Sequence, residues 1–174
     1  TYFYNFNSPA SHILIKSQDS FIKYAELLWK KKQPLNPLKT LDEAIILASI
    51  VEKEAGNNKE KPIIAGVFLN RLNLNMRLQA DPTIIYGLLP TFNGNITKIN
   101  LQDSSNRYNT YKIKGLPPTP IAMISKSSLE AVILGIPNNY VYFVAKGDGT
   151  HYFSTKYADH LKAVRKFQLN KSWN

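Results

Sequence analysis

"KTLDEAIILASIVEKEAG", residues 39–56, is the stretch on which the fold turns. Leu41, Ala44, Ile45, Leu47, Ala48, Ile50 and Val51 recur at helical spacing, and no proline interrupts them. Thr40 and Glu43 have the spacing of a capping box, which starts the helix. Gly56 has the look of a C′ residue, which stops it. On a wheel at about 100° per residue, Asp42, Ser49 and Lys53 form one narrow polar stripe. The rest of the surface is apolar, so this reads as a buried helix. Two acids then break the pattern. Glu52 falls among Leu41, Ile45 and Ala48, and Glu54 falls beside Glu43, Leu47 and Ile50. They point to nearly opposite sides and cannot form one carboxylate pair. A carboxylate against apolar surroundings is costly when ionised, so it acquires a raised pKa, a cationic partner, or both. A raised pKa is what a general acid needs near neutral pH. The plainer alternative is a last-turn glutamate reaching water or pairing with Arg71, Arg77 or Lys53. Periodicity alone does not choose between the two acids.

Outward from this helix, the N-terminal half continues helical. A first helix is predicted over about Ser17–Lys32, with Phe21, Ala25 and Leu28 on one face and Pro34 and Pro37 stopping it. "NNKEKPIIAGVFLNRL" predicts the next helix, with Pro62 in its first turn and Ile63, Val67 and Phe68 inward. "ADPTIIYGL" predicts a short helix with Asp81 as N-cap and Pro82 at N1. Beyond Gly87 the pattern changes. "YNTYKI" alternates like a strand, "KGLPPTPIAM" is a proline-rich turn, and "SLEAVILG" is a short helix. "YVYFVAKGDGTHYFS" predicts a β-hairpin, Tyr140–Ala145 and His151–Ser154, turning at Asp148-Gly149. A last helix follows over about Lys156–Leu169, capped by Thr155. The fold class is α+β: a helix-rich N-terminal half, then a small antiparallel sheet.

The 174 residues suffice for one domain, read as residues 1–174. No apolar run reaches about 18 residues, and no signal-like start is present. The opening "TYFYNFNSPA" has the look of the middle of a strand or loop, as expected of a piece of a longer chain. The absence of cysteine excludes thiol nucleophiles, thiolate zinc sites and disulfides. His12, His151 and His160 show no metal-ligand spacing, and no metal or other cofactor is expected. The net charge of +10 raises the question of polyanionic partners. "WKKKQP" is the one tight basic cluster, and no nucleic-acid-binding signature accompanies it, so nucleic acid is not expected as a partner.

"ASIVEKEAG", "AGVFLNRL", "MRLQADPTIIYGL", "YNTYKIKGLPPTPIAM", "YVYFVAKGDGTHYFS" and "AVRKF" together resemble the YceG-like endolytic murein transglycosylase family, over about Thr1–Phe167. The resemblance implies a cofactor-free lyase that cuts peptidoglycan glycan strands internally, between N-acetylmuramic acid and N-acetylglucosamine. It implies 1,6-anhydro-muramoyl products. It also implies a single-pass inner-membrane anchor and a LysM-like part outside this chain. The catalytic domain would then lie in the periplasm, and cell-wall synthesis enzymes such as penicillin-binding proteins would be partners. The family's one catalytic glutamate falls in the V-E-K-E segment and is placed on Glu54, with Glu52 in support.

Sugar contacts are expected from Gln79, Thr83 and Tyr86 of "LQADPTIIYG" and from Tyr108, Asn109 and Tyr111 of "YNTY". Amides and tyrosines suit sugar hydroxyls and N-acetyl groups. Asn109 and Tyr111 are expected on one face of a strand, toward Glu54. Asp81 is expected mainly as a helix cap, with a supporting role at the site as the alternative. Pro117, Pro118 and Pro120 are expected to shape a cleft wall, and Tyr140, Tyr142 and Tyr152 to fill the sheet. Two other functions compete: a lysozyme-like hydrolase with Glu54 as acid and Asp81 as base or nucleophile, and a non-catalytic polyanion binder.

Overall fold

The computed structural model describes Phe3 and residues 5–169. Residues 1, 2 and 4 of the expected opening segment lie outside the described part. Among the described residues seven α-helices and one hairpin follow in order: α1 Ala10–Trp29, α2 Leu41–Glu54, α3 Lys61–Asn73, α4 Asp81–Leu88, α5 Lys98–Gln102, α6 Lys126–Ile133, β1 Tyr142–Ala145, β2 His151–Ser154 and α7 Tyr157–Val164. A π-helical turn, Arg165–Leu169, extends α7. The α+β architecture expected from the sequence is the one found. No helix among the described residues is long and apolar enough to cross a membrane.

Helix α2 is the centre. Ala44, Leu47, Ala48, Ile50 and Val51 are fully buried, packed with Ile64, Phe68 and Leu69 of α3 and Leu129, Val132 and Ile133 of α6. Each of the leucine, isoleucine, valine and phenylalanine side chains among them contributes about 1.5–3 kcal/mol by burial. The polar stripe is used as well. Ser49 accepts the N–H of Ile121 at 2.9 Å, which fastens the proline-rich segment to α2. Asn36 donates to the carbonyl of Val132 at 2.7 Å and ties the segment before α2 to α6.

Thr40 accepts the N–H of Glu43 at 3.1 Å, as a cap should. The Glu43 carboxylate reaches one residue further back and accepts the N–H of Lys39 at 2.6 Å. At the other end the expected left-handed glycine is absent. Ala55 leaves the helix extended, and Gly56 has no positive φ. Gly56 is needed for closeness instead. A Cβ there would lie 2.5 Å from the carbonyl oxygen of Gly149 in the hairpin turn. Asn57 donates to that same oxygen at 3.1 Å, so the end of α2 and the hairpin turn are clasped.

Other boundaries moved. α1 starts at Ala10 rather than Ser17 and ends at Trp29. In α3 the inward residue is Ile64, fully buried, while Ile63 is exposed. Thr155 is not a cap: Lys156 occupies that position and no side chain caps α7. β1 begins at Tyr142, and the hairpin pairs Tyr142 with Ser154 and Ala145 with His151. Phe143 seats the hairpin on the core, edge-on to Phe68 at 5.7 Å. Among the described residues no strand forms at "YNTYKI", which is a succession of turns.

Candidate active site

Glu54 is the last residue of α2. Because α2 ends against the hairpin, its final side chain enters a cleft of about 470 Å³ between the helices and the sheet. Glu54, Arg71, Gln79, Asp81, Tyr111 and Tyr142 line it, with further residues from the hairpin and α7. The Glu54 carboxyl makes no hydrogen bond to the described residues. Burial, and then the nearby Asp81 carboxylate, push its pKa up to about 8, against a smaller opposing pull from Arg71. Such a group is mostly protonated at neutral pH. Arg71 is not free to neutralise it closely: its Nε donates to the carbonyl of Val141 at 2.7 Å and its Nη1 to that of Leu78.

Asp81 is the first residue of α4, not its N-cap. Ala80 takes the cap position, and no side-chain hydrogen bond caps the helix. The Asp81 carboxylate turns to the cleft and accepts the hydroxyl of Tyr111 at 2.7 Å. This pair is built from beneath. Thr83 and Thr110, both fully buried, share a hydrogen bond at 2.9 Å, and Thr110 accepts the N–H of Ala80 at 2.9 Å. The threonine clamp fixes the "YNTY" turns onto the start of α4. Gln79, just before it, has a left-handed backbone at φ 51° and lines the cleft. Such a backbone is uncommon outside glycine and clusters at functional sites.

Asn109 does not face the cleft. It is fully buried, and its amide donates to the carbonyls of Asn100, Leu101 and Asp103. Its side-chain oxygen accepts the N–H of Tyr111 at 3.0 Å. The asparagine that packing alone explained poorly is thus the residue that shapes the turn presenting Tyr111. Thr83, Tyr86 and Tyr108 also lie outside the cleft lining. Tyr86 and Tyr108 stack edge-on at 4.9 Å, and the Tyr108 hydroxyl meets that of Thr119 at 2.8 Å. Pro117, Pro118 and Pro120 form no part of the cleft wall.

Glu52 has a different setting. Burial would raise its pKa, but hydrogen bonds from Ser125, Ser128 and Lys61 outweigh that and bring it down to about 2. Its Oε2 accepts the N–H and hydroxyl of Ser125, at 3.0 and 2.6 Å, and Lys61 at 3.2 Å. A carboxylate so held stays ionised and pins the start of α6 to α2.

Four cleft residues carried no site signal in the sequence. Tyr142 reads as sheet filling, Arg71 as a surface partner for an acid, and His160 and Tyr157 as ordinary helix residues. What unites them is tertiary: β1 and α7 converge on the end of α2. His151, also in the lining, is tied to the start of α3 by Glu60, which accepts its N–H at 2.9 Å and meets its Nδ1 at 2.8 Å. No group of three or more metal-ligating side chains occurs among the described residues.

Glu54 is thus a half-buried carboxyl, with its pKa raised, at the end of α2 in a cleft between the helices and the hairpin. The model of the YceG-like family matches residues 1–166, and the chain belongs to that family. It is similar to the endolytic murein transglycosylase of Bacillus subtilis (strain 168), 35% identical over 176 residues, covering 97% of this chain and 47% of that protein. It is similar to the endolytic murein transglycosylase of Streptococcus pneumoniae serotype 2, 36% identical over 72% of this chain and 23% of that protein. A crystal structure of a yceG-like protein from Listeria monocytogenes matches with a TM-score of 0.76 at 34% identity, over 93% of this chain and 52% of that one. The chain thus spans about half the length of the Bacillus relative and of the Listeria protein, and about a quarter of the Streptococcus one.

Proposed function

We propose that this chain is the catalytic domain of an endolytic peptidoglycan transglycosylase, with Glu54 as its one acid and base. The observation that carries the reading is Glu54 itself, a carboxyl with its pKa pushed up to about 8 and open to a cleft. At pH 7 such a group is protonated in roughly nine molecules of ten. The names of the Bacillus and Streptococcus relatives supply the substrate.

The mechanism follows from one proton. Protonated Glu54 gives its proton to the glycosidic oxygen, and the bond from that oxygen to the muramoyl anomeric carbon breaks. The N-acetylglucosamine side leaves as an alcohol. Glu54, now a carboxylate, takes the proton of the muramoyl 6-hydroxyl as that oxygen attacks the anomeric carbon. The 1,6-anhydro ring closes, the original protonation state of Glu54 is restored, and no water is consumed. Asp81 acts twice. Its charge adds to burial in keeping Glu54 protonated in the free enzyme, and it stabilises the positive charge that develops on the sugar. The Tyr111 hydroxyl fixes its orientation. In the whole protein this activity belongs on the wall-facing side of the membrane, beside wall-synthesis enzymes; family likeness is the support for both.

One observation favours a second reading. Asp81 puts a second carboxylate in the cleft, and a muramidase would use it to activate water or to attack the sugar. The test of the acid itself is glycan-strand cleavage by Glu54→Gln and Glu52→Gln in parallel. Glu54→Gln is expected to lose cleavage with its fold intact. A dead Glu52→Gln beside an active Glu54→Gln would move the role to Glu52.

A further inference from the structure

One part of the cleft comes from segments without any catalytic motif. Tyr157, the first residue of α7, lines the cleft and is 58% exposed. It is nevertheless braced. Its ring lies 5.7 Å from that of Tyr142 and 6.2 Å from that of His160. His160 in turn stacks on Tyr142 at 5.2 Å, with 22° between the planes. The guanidinium of Arg71 lies 5.8 Å from the centre of the Tyr142 ring.

Folding gives little reason for this arrangement. A ring more than half exposed contributes little burial, yet two stacked rings, Tyr142 and His160, pack against it. The His160 ring makes no side-chain hydrogen bond to the described residues, and its Nδ1 is closed off from solvent without a partner. Burial, and then the charge of Arg71, hold its pKa below the ordinary 6.5, so the ring is neutral at pH 7. Val164 and Gln168, one and two helical turns further along the chain, join the same lining. A braced aromatic face, an apolar side chain and an amide are what an acetylated aminosugar needs: C–H bonds to stack, a methyl group to bury, and an acetamido group to hydrogen-bond.

We infer that Tyr157, braced by Tyr142 and His160, is the stacking platform of a subsite that holds one N-acetylhexosamine unit beside Glu54. The inference rests on the glycan-strand reading of the cleft. It adds a specificity residue from a segment that the acid–base chemistry does not use.

Binding is measured on the Glu54→Gln chain, which holds a strand without cutting it. Calorimetry compares a hexamer of β-1,4-linked N-acetylglucosamine, the glucose hexamer of the same linkage, and purified peptidoglycan strands. The acetylated hexamer is expected to bind more tightly than the glucose hexamer. Adding Tyr157→Ala is expected to weaken it about tenfold, while Tyr157→Phe stays within about twofold, because stacking needs the ring and not the hydroxyl. Equal affinity with Tyr157→Ala overturns the platform and leaves the glycan reading standing. A Tyr157→Phe loss as large as that of Tyr157→Ala overturns stacking as the mode of contact, and equal binding of the glucose hexamer overturns the acetamido preference. If the Glu54→Gln chain binds none of the three, the strands included, the glycan reading fails and the subsite falls with it.

Discussion

Replacing Glu54 with glutamine should make the protein more stable in alkali while leaving it unable to cut. Glu54 titrates at about 8 in the folded chain, against an ordinary 4.5. The folded state therefore holds this proton when the unfolded state has lost it. Stability linked to the group is complete below about pH 4.5 and is lost as pH rises toward 8. At about 1.4 kcal/mol per pH unit, the ionised form costs at most about 5 kcal/mol. Glu54 retains some contact with solvent, which reduces this to about 2–4 kcal/mol. In a domain of this size about 1 kcal/mol moves the melting temperature by roughly 2–4 °C. Thermal melts of wild type and Glu54→Gln, followed by circular dichroism from pH 4.5 to 9, read this directly. Any constant cost of the amide cancels in the comparison across pH. The glutamine variant should gain about 4–16 °C relative to wild type between pH 4.5 and pH 9. A gap that does not change with pH would refute the raised acid, whatever the variant does to activity.

Three further outcomes follow from the same structure. Asp81→Asn removes the charge that helps keep Glu54 protonated, so strand cleavage should fall and the alkaline limb of its pH profile should move to lower pH, with the melting temperature nearly unchanged. An unmoved limb would mean that Asp81 does not act on Glu54. Asn109→Ala removes the amide donor that three carbonyls share and should cost about 1–3 kcal/mol, seen as a lower urea midpoint; an unchanged midpoint would argue against the buried turn. Glu52→Gln takes the counter-charge from buried Lys61 and should cost about 2–3 kcal/mol at neutral pH. Because the Glu52 pKa is depressed to about 2, its contribution is present above about pH 4.5 and disappears as pH falls toward 2, so the two proteins should converge in acid.

The sequence made the helices legible where period and caps agreed. α2 is central and starts at Thr40, and the hairpin turns at Asp148-Gly149. The wheel also separated Glu52 and Glu54 onto different faces, and they do have different surroundings. What it could not assign was the identity of polar neighbours that only tertiary packing supplies. Asp81 and Asn109 show this best. An aspartate before proline has a complete local account as a cap, yet the chain turns it toward Tyr111. An asparagine in an alternating run suggests a ligand on a strand, yet three carbonyls of the preceding turn and short helix claim it and no strand forms. Substitution of Asp81 is therefore expected to act on activity, and that of Asn109 on stability. Gly56 is similar. Its place after the helix suggested a left-handed stop, whereas the close approach of Gly149 is what excludes a side chain. Tyr157 and His160 had no local signal, because their part in the cleft exists only once α7 folds against β1.

The central claim is that a single carboxyl, Glu54, cuts glycan strands without water. Purified strands digested by the wild-type chain in water enriched in oxygen-18, with mass analysis of the new ends, test it most directly. The expected products are 1,6-anhydro-muramoyl ends carrying no heavy oxygen, with none formed by Glu54→Gln. New reducing ends carrying oxygen-18 would contradict it and make Asp81 the second carboxylate of a hydrolase.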